Sequence, residues 1–170
     1  MLLTLKRFFT DERFRKRRKF FRSLSFCKGL TDREIGYLQQ AFHSRAYREG
    51  EVLFLDGDIG RALFVVEWGR VELSKAGPDG TPQRLSVLGP GGFFGEMALL
   101  EHLPRSASAV ALEDSTVLLL YRSKLESILH YHPRIGVPMM MHIARLLSAR
   151  LRKTSENLTA VEPDAEDGVF

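Results

Sequence analysis

The chain has 170 residues, 44% hydrophobic and 27% charged, which is enough for one domain with a buried core. Its single cysteine, Cys27, excludes an internal disulfide and is too few for a metal cluster. No apolar run approaches the ~20 residues of a membrane span, and no secretory cleavage signal follows the early charges, so we expect a soluble, cytoplasmic protein.

The formal net charge of +4 is distributed unevenly along the chain. Residues 1–28 carry ten Lys or Arg and two acids, residues 29–158 carry fifteen charges of each sign, and the last twelve residues carry four acids. We therefore expect a basic N-terminal helical arm (1–24), a folded body that includes C-terminal helices (25–158) and an acidic, disordered tail (159–170).

The N-terminal arm, "MLLTLKRFFTDERFRKRRKFFRSL", has a helix-forming composition. Its apolar positions fall within roughly one third of a helical circle at ~100° per residue, which predicts one or two amphipathic helices with a basic face. The basic face is either solvated, with the Phe side chains packed on the body, or a surface for an anionic membrane, a nucleic acid or an acidic partner protein. The apolar stripe consists of Leu2, Leu5, Phe9, Phe20 and Leu24.

A capped helix and a β-rich body follow the arm. Thr31 and Glu34 have the spacing of a capping box, so a helix should begin there and end near His43. Residues 44–95 are rich in Val, Leu and Phe and are interrupted by "DGD", "WG", "GPDG" and "GPGG", which predicts short strands of a sandwich or barrel. Two more strands should flank the turn at Glu113–Asp114.

Helices return at the C-terminal end of the body. "RSKLESILHYH" is stopped by Pro133, and a last helix should run from about Ile135 to Leu158. A heptad-like seam along that helix indicates either a helix–helix dimer contact or packing on the body, and Ile143 and Leu146 offer a second apolar strip. The seam consists of Met140, Ala144, Leu147, Leu151, Thr154 and Leu158.

The chemistry concentrates in residues 91–109, "GGFFGEMALLEHLPRSASA". The glycines allow sharp turns and close approach to a ligand, and "EMALL" favours a short helix whose free N–H groups suit an anion. Arg105 offers a planar fork for a phosphate, while the small Ser106 and Ala107 leave their N–H groups accessible. Glu96 suits a sugar hydroxyl, so a ligand with both a phosphate and a ribose would use all of these groups.

This stretch resembles the phosphate-binding cassette of the cyclic nucleotide-binding domain family, through "FFGEMALLEHLPRSA". The segments "REGEVLFLDGD", "ALFVVEWGRVEL" and "LGPGGFFGE" also match the family pattern, and the resemblance covers residues ~24 to ~158. It implies an α+β fold in which a β-roll, a double-stranded jelly-roll-like barrel, is flanked by N-terminal and C-terminal helices.

The resemblance also implies roles for individual residues. Glu96 would hold the ribose 2′-hydroxyl, Gly95 would approach the sugar through its backbone, and Arg105 would pair with the cyclic phosphate. On the last helix, either the Thr154–Ser155 pair or Arg150 would contact the base. The predicted ligand-binding residues are Leu85, Ser86, Gly95, Glu96, Met97, Arg105, Ser106, Ala107, Arg150, Thr154 and Ser155.

The same resemblance implies a cyclic nucleotide as ligand, cAMP rather than cGMP because Ser106 follows Arg105, and no metal. An enzyme of the cupin type would need His ligands on strands, whereas the five histidines are scattered. Too few residues follow Leu158 for a helix-turn-helix, so we expect a sensor or regulatory subunit that acts on an effector protein or as a homodimer through the last helix. The alternative is a degenerate, non-binding member that acts through its basic arm.

Overall fold

The computed structural model describes the backbone of residues 2–77 and 79–159 and the side chains of residues 12, 14–77 and 79–156. The predicted acidic tail therefore lies outside the described residues, apart from its first position. The helices are α1 (Leu2–Ser23), α2 (Asp32–Ala41), α3 (Glu96–Glu101), α4 (Arg122–Tyr131) and α5 (Pro133–Thr159), with a 3-10 turn at Ser25–Cys27. The strands are β1 (His43–Tyr47), β2 (Val52–Phe54), β3 (Ala62–Trp68), β4 (Val71–Ala76), β5 (Pro82–Leu88), β6 (Phe93–Phe94), β7 (Ser108–Ala111) and β8 (Ser115–Tyr121).

The strands form two four-stranded antiparallel sheets, in the orders β1-β8-β3-β6 and β2-β7-β4-β5. The inner faces of the two sheets share one apolar cluster, in which Phe64 stacks on Phe94 with ring centroids 5.1 Å apart. Helices from both ends of the chain flank this double sheet. The predicted α+β roll is therefore confirmed.

Strand β3 is apolar on both faces because it lies between two cores. Phe64 and Val66 point into the cluster between the sheets, whereas Leu63 and Val65 point into a second cluster beneath the helices. Successive side chains of a strand face opposite sides, so a strand buried on both sides reads as a continuous apolar run. Strand β8 repeats this pattern with Val117, Leu118, Leu119 and Leu120.

The helix boundaries follow local capping chemistry. The Thr31 hydroxyl accepts a bond from the Glu34 N–H at 3.4 Å, and the Glu34 carboxylate accepts one from the Thr31 N–H at 2.7 Å, which confirms the predicted capping box. The backbone bond from Thr31 lowers the pKa of Glu34. Pro133 ends α4 as predicted and is also the first residue of α5, where its missing N–H would have no intrahelical partner.

The C-terminal part of α1 packs on the body. Phe21 is fully buried, with its ring edge-on to Phe42 at 5.3 Å between centroids. Arg17 forks onto the carboxylate of Glu67 with bonds of 2.8 and 3.1 Å. Part of the basic arm is thus folded onto the domain, and the division of the chain at residue 24 stays a prediction.

Helix α5 presents one face to the core and another to solvent. Ile143 is fully buried, as its predicted packing strip requires, and Met140 and Leu147 of the predicted seam also lean on the core. Ala144 and Leu151 of the seam are exposed, so the seam is divided between the two faces. Further apolar side chains on the solvent face are Val137 and Met141.

Within the described ranges, no helix combines the length and the apolar character that crossing a bilayer would require.

Replacing Phe21 tests whether α1 belongs to the folded body. We expect Phe21→Ala to lower the free energy of unfolding by about 3–5 kcal/mol, because it removes a buried ring and leaves a cavity. Phe14→Ala, on the same helix, is the matched control: Phe14 is 45% exposed, so the loss should stay below about 1 kcal/mol. Urea unfolding measures both, and equal effects of the two changes would contradict this packing.

Candidate ligand-binding site

Gly95 joins the short strand β6 to helix α3 in a conformation that favours glycine. Its φ is +74°, in the left-handed region, and a Cβ atom built there would lie 2.4 Å from Nη1 of Arg105. The turn leaves the Gly95 carbonyl facing that guanidinium, whose Nη1 donates to it at 2.8 Å. Glycine is therefore required here both by backbone conformation and by the space that Arg105 occupies.

Arg105 lies in the loop between α3 and β7, and its backbone is fixed on both sides. Its N–H donates to the carbonyl of Asp58 at 2.8 Å, and its own carbonyl accepts from the N–H of Gly57 at 2.9 Å. This ladder holds the loop against the segment that precedes β3. The Arg105 side chain consequently enters the protein from a fixed point.

The guanidinium of Arg105 is buried, with only 5% of the residue exposed. Besides the Gly95 carbonyl, it donates to the Ala62 carbonyl at 2.8 Å, and it lies over the rings of Phe54 and Phe64 at 4.3 and 5.0 Å. Two of its five N–H donors are thus engaged, and the buried Nε has no hydrogen-bond partner among the described residues. An anion could engage the donors that remain.

Burial lowers the pKa of Arg105, and the nearby charges of Asp58 and Glu96 oppose that shift. An arginine remains protonated at neutral pH despite such shifts. The site therefore holds a buried cation with no carboxylate bonded to it among the described side chains.

Glu96 is the first residue of α3 and is 1% exposed. Its Oε1 accepts a bond from Nη1 of Arg150, which reaches over from α5, and Nη2 of Arg150 also donates to the Phe93 carbonyl at 2.6 Å. The other carboxylate oxygen, Oε2, is buried and has no partner in the described part of the chain. Glu96 and Arg105 are therefore held separately, and each keeps an unsatisfied polar atom.

Both residues line one cavity of about 580 Å³, between the β2-β7-β4-β5 sheet, α3 and α5. Ten of the eleven predicted site residues lie on its wall; Ser155 does not and is exposed on α5. The Ser106 hydroxyl donates to the sulfur of Met97 at 3.8 Å. The lining residues that the sequence predicted are Leu85, Ser86, Gly95, Glu96, Met97, Arg105, Ser106, Ala107, Arg150 and Thr154.

Sequence reasoning missed five lining residues: Phe54, Leu73, Leu88, Ala98 and Lys153. Leu73 lies opposite Ser86 in the β4–β5 pairing, so the register of the predicted hairpin would have placed it beside a predicted site residue. Phe54 comes from β2, far from the motif in sequence, and no local signal indicates its place beneath Arg105.

The composition of the wall suits a small anionic ligand with an apolar part. Arg105, Arg150 and Lys153 contribute three positive charges against the single carboxylate of Glu96, and the side chains of Leu73, Leu85 and Leu88 are apolar. The volume is typical of small-molecule sites. Among the described residues, no three His, Cys, Asp or Glu side chains cluster as a metal site would need.

Comparison with known families defines the class of protein. The model of the cyclic nucleotide-binding domain matches residues 44–132, more than half of the chain and the part that contains the whole cassette. The chain belongs to the cyclic nucleotide-binding domain family, as the motif in residues 91–109 predicted.

Individual relatives narrow the comparison to regulatory proteins. The chain is 38% identical over 131 residues to the cyclic AMP receptor protein of Thermus thermophilus, and the matched region covers 76% of this chain and 58% of the receptor. It is 32% identical over 130 residues to the cAMP-dependent protein kinase regulatory subunit of Eremothecium gossypii, and that match covers 75% of this chain and 28% of the subunit. A solved cyclic nucleotide-binding domain from Methylobacillus flagellatus matches with a TM-score of 0.75 and 25% identity, over 94% of this chain and 88% of that structure.

The chain thus spans little more than half of the receptor and under a third of the kinase subunit. By name, the first relative is a cyclic AMP receptor and the second is a regulatory subunit. The expectation of a regulatory domain rather than an enzyme is confirmed by this comparison.

Gly95→Ala tests the turn that carries the site. We expect the free energy of unfolding to fall by about 2 kcal/mol, because alanine is strained at this φ and its Cβ displaces the Arg105 guanidinium. Gly89→Ala, in the loop that precedes β6, is the control, since a Cβ there meets nothing within 4 Å and φ is not positive, so its effect should stay within about 0.5 kcal/mol. Urea titration compares the two, and a neutral Gly95→Ala would contradict the described turn.

Proposed function

We propose that the chain is a cyclic-nucleotide sensor that binds cAMP in preference to cGMP and relays binding through α5 to a partner. One observation carries the proposal: Glu96 and Arg105 are both buried on the wall of one cavity, and each has a polar atom without a described partner. Buried polar groups are costly when unsatisfied, so a ligand that completes them binds with a matching gain.

Arg105 takes the cyclic phosphate. The buried guanidinium is held by two carbonyls and two rings, so its position is set before the ligand arrives, and it meets the anion with its unengaged donors. Ser106 and Ala107 also line the cavity. The Ser106 hydroxyl and the Ala107 N–H add hydrogen-bond donors for the phosphate oxygens. Because Arg105 is only 5% exposed, its pairing with the phosphate would form in a low-dielectric environment, which strengthens the interaction.

Glu96 takes the ribose hydroxyl through Oε2. Its other oxygen is already bonded to Arg150, so the ligand and α5 share one carboxylate. The hydroxyl donates to Oε2 without displacing Arg150, and ligand binding therefore stabilises the position that α5 has in this structure. Differential contacts of this kind are what allows a ligand to shift a conformational equilibrium.

The base lies against the apolar wall formed by Leu73, Leu85 and Leu88, with Ser86 and Thr154 as polar neighbours. Two features support cAMP over cGMP: Ser106 stands where cGMP-preferring members of the family often have Thr, and the names of the two relatives described above refer to cAMP. The chemistry of the cavity requires no metal, and we place the protein in the cytoplasm.

The output surface is the solvent face of α5, acting on an effector protein or a second copy of the chain. Val137, Met141 and Leu151 are 57%, 49% and 71% exposed, and exposed apolar side chains on one helix favour protein contact. The other surface available is α1, where Arg15 and Lys19 are exposed on one face without an acidic partner among the described side chains. It supports the second candidate, a non-binding module that acts through its basic arm on an anionic membrane surface or partner protein.

Calorimetric titration with cAMP and cGMP tests the proposal. We expect cAMP to bind with a lower Kd than cGMP. Arg105→Ala should weaken binding by about 2–5 kcal/mol, the scale for truncating one partner of a buried charge pair. Arg105→Lys keeps the charge but loses the fork, and it should recover only part of the affinity.

Arg70→Ala is the matched control, because Arg70 pairs with Glu113 at 3.2 Å on the surface, away from the cavity wall. It should leave binding unchanged. Absence of heat with either nucleotide at about 1 mM ligand would overturn the sensor and favour the second candidate.

Arg150→Ala tests the relay. Without Arg150 the Glu96 carboxylate loses its described partner, so we expect the Kd for cAMP to rise about tenfold, the value of one charge-assisted hydrogen bond. Arg152→Ala, two residues along the same helix, removes an exposed cation that does not line the cavity and should leave Kd unchanged. Titration calorimetry measures the Kd of both variants. Equal Kd values for the two variants would contradict the proposed coupling between α5 and the ligand site.

A further inference from the structure

A second arginine from the C-terminal helices reaches the cassette at its other end. Arg122 is the first residue of α4, and its side chain donates to three acceptors: the Gly60 carbonyl at 2.9 Å, the Ala98 carbonyl at 2.8 Å and Nδ1 of His102 at 2.6 Å. Ala98 lies within α3, and His102 is the residue that caps the end of α3. Of these acceptor residues only Ala98 also lines the cavity, and Arg122 itself does not, so a direct contact with the ligand does not account for Arg122.

The acceptors of Arg122 sit where α3 meets the body most closely. A Cβ atom on Gly60 would lie 2.2 Å from the Cβ of Ala98, so α3 rests directly on the backbone before β3. His102 has a φ of +59°, a left-handed conformation that is uncommon outside glycine. A strained residue persists where its surroundings hold it, and the bond from Arg122 is such a restraint.

The six-residue helix α3 is therefore held at both ends by arginines from the helices that follow the β-roll. Arg150 of α5 holds Glu96 at its start, and Arg122 of α4 holds Ala98 and His102 at its end. Helices α4 and α5 are themselves in close contact, since a Cβ on Gly136 would lie 2.9 Å from the side chain of Leu129. A displacement of α3 must either break these bonds or move the two helices with it.

We propose that Arg122 is a positioning residue that couples α3 to the junction of β8 and α4. It fixes α3 in the geometry that the cavity needs and carries movement of α3 into α4. The ligand-dependent part of this inference rests on the proposed function, whereas the coupling itself is a property of the free protein.

The hydrogen bond to His102 gives the inference a spectroscopic signature. A guanidinium only donates, so Nδ1 of His102 must accept and the ring proton must lie on Nε2. The imidazole nitrogen chemical shifts report this tautomer, measured at a pH above the ordinary titration range of histidine. We expect the Nε2–H form in the ligand-free protein and a mixture of tautomers in Arg122→Ala.

Amide hydrogen exchange in the free protein measures the coupling. In Arg122→Ala we expect exchange to become about tenfold faster in α3 as well as in the first turn of α4, because each loses the same hydrogen bonds. Arg122→Lys retains one cation that reaches fewer acceptors and should fall between Arg122→Ala and the unaltered protein. His102→Asn keeps a side-chain acceptor and tolerates the left-handed backbone, so it should preserve protection that His102→Ala loses.

With cAMP present, Arg122→Ala should raise the Kd about tenfold, while Arg70→Ala leaves it unchanged. If faster exchange is confined to α4, or if His102 shows the same tautomer with and without Arg122, the positioning role is overturned. The exchange and tautomer measurements are made without ligand, so they decide this inference even if the protein binds neither nucleotide. A lack of binding would contradict only the proposed function. If Arg122→Ala leaves both the amide exchange rates of α3 and α4 and the Kd for cAMP unchanged, the inference is overturned and the sensor proposal still stands.

Discussion

The site depends on burying one guanidinium inside a β-roll. An arginine at 5% exposure loses its hydration, and that cost is offset only where acceptors and aromatic faces replace water. The Gly95 and Ala62 carbonyls and the Phe54 and Phe64 rings do so for Arg105. To offer its carbonyl, the chain must turn at Gly95 with a positive φ, and that turn starts α3 where its first side chain, Glu96, enters the same cavity. The separation of Arg105 and Glu96 thus follows from the contacts that bury the Arg105 guanidinium.

The fold and much of the site were predictable because their signals are local. Turn glycines, a capping box and an apolar run buried on two faces each act over a few residues, and the cassette is one continuous segment. The grip of Arg150 on Glu96 and of Arg122 on Ala98 was not predictable in the same way. Each joins residues more than twenty positions apart, and each depends on the angle at which α4 and α5 return across the roll. The sequence indicates Arg150 only as an alternative to Thr154–Ser155 for contact with the base, whereas its bond to Glu96 follows from the packing of α5.

The basic arm shows why counting charges overstates the free surface. The sequence gives ten cations in residues 1–28, yet Arg17 is bonded to Glu67, while Arg18 and Arg22 both pair with Asp32 at the start of α2. Asp32 also lies in the first turn of its helix, where a negative charge is favourable. Some of the cations that sequence alone assigns to an anion-binding stripe therefore help to dock α1 onto the domain. Amphipathic periodicity identifies the helix, but its partners are set by the tertiary structure.

The shared carboxylate limits how strongly ligand and α5 can influence each other. One charge-assisted hydrogen bond contributes about 1.5 kcal/mol, and such a coupling changes an equilibrium only about tenfold. A relay through Glu96 and Arg150 alone therefore works only if α5 is already near balance between positions in the free protein. The contacts of Arg122 add a second coupling. Arg122 bonds the far end of α3 to α4, and α4 packs against α5, so movement of α3 acts on the same pair of helices at two points. Two modest couplings in parallel bias α5 further than either alone, and they act on a helix whose solvent face carries exposed apolar side chains.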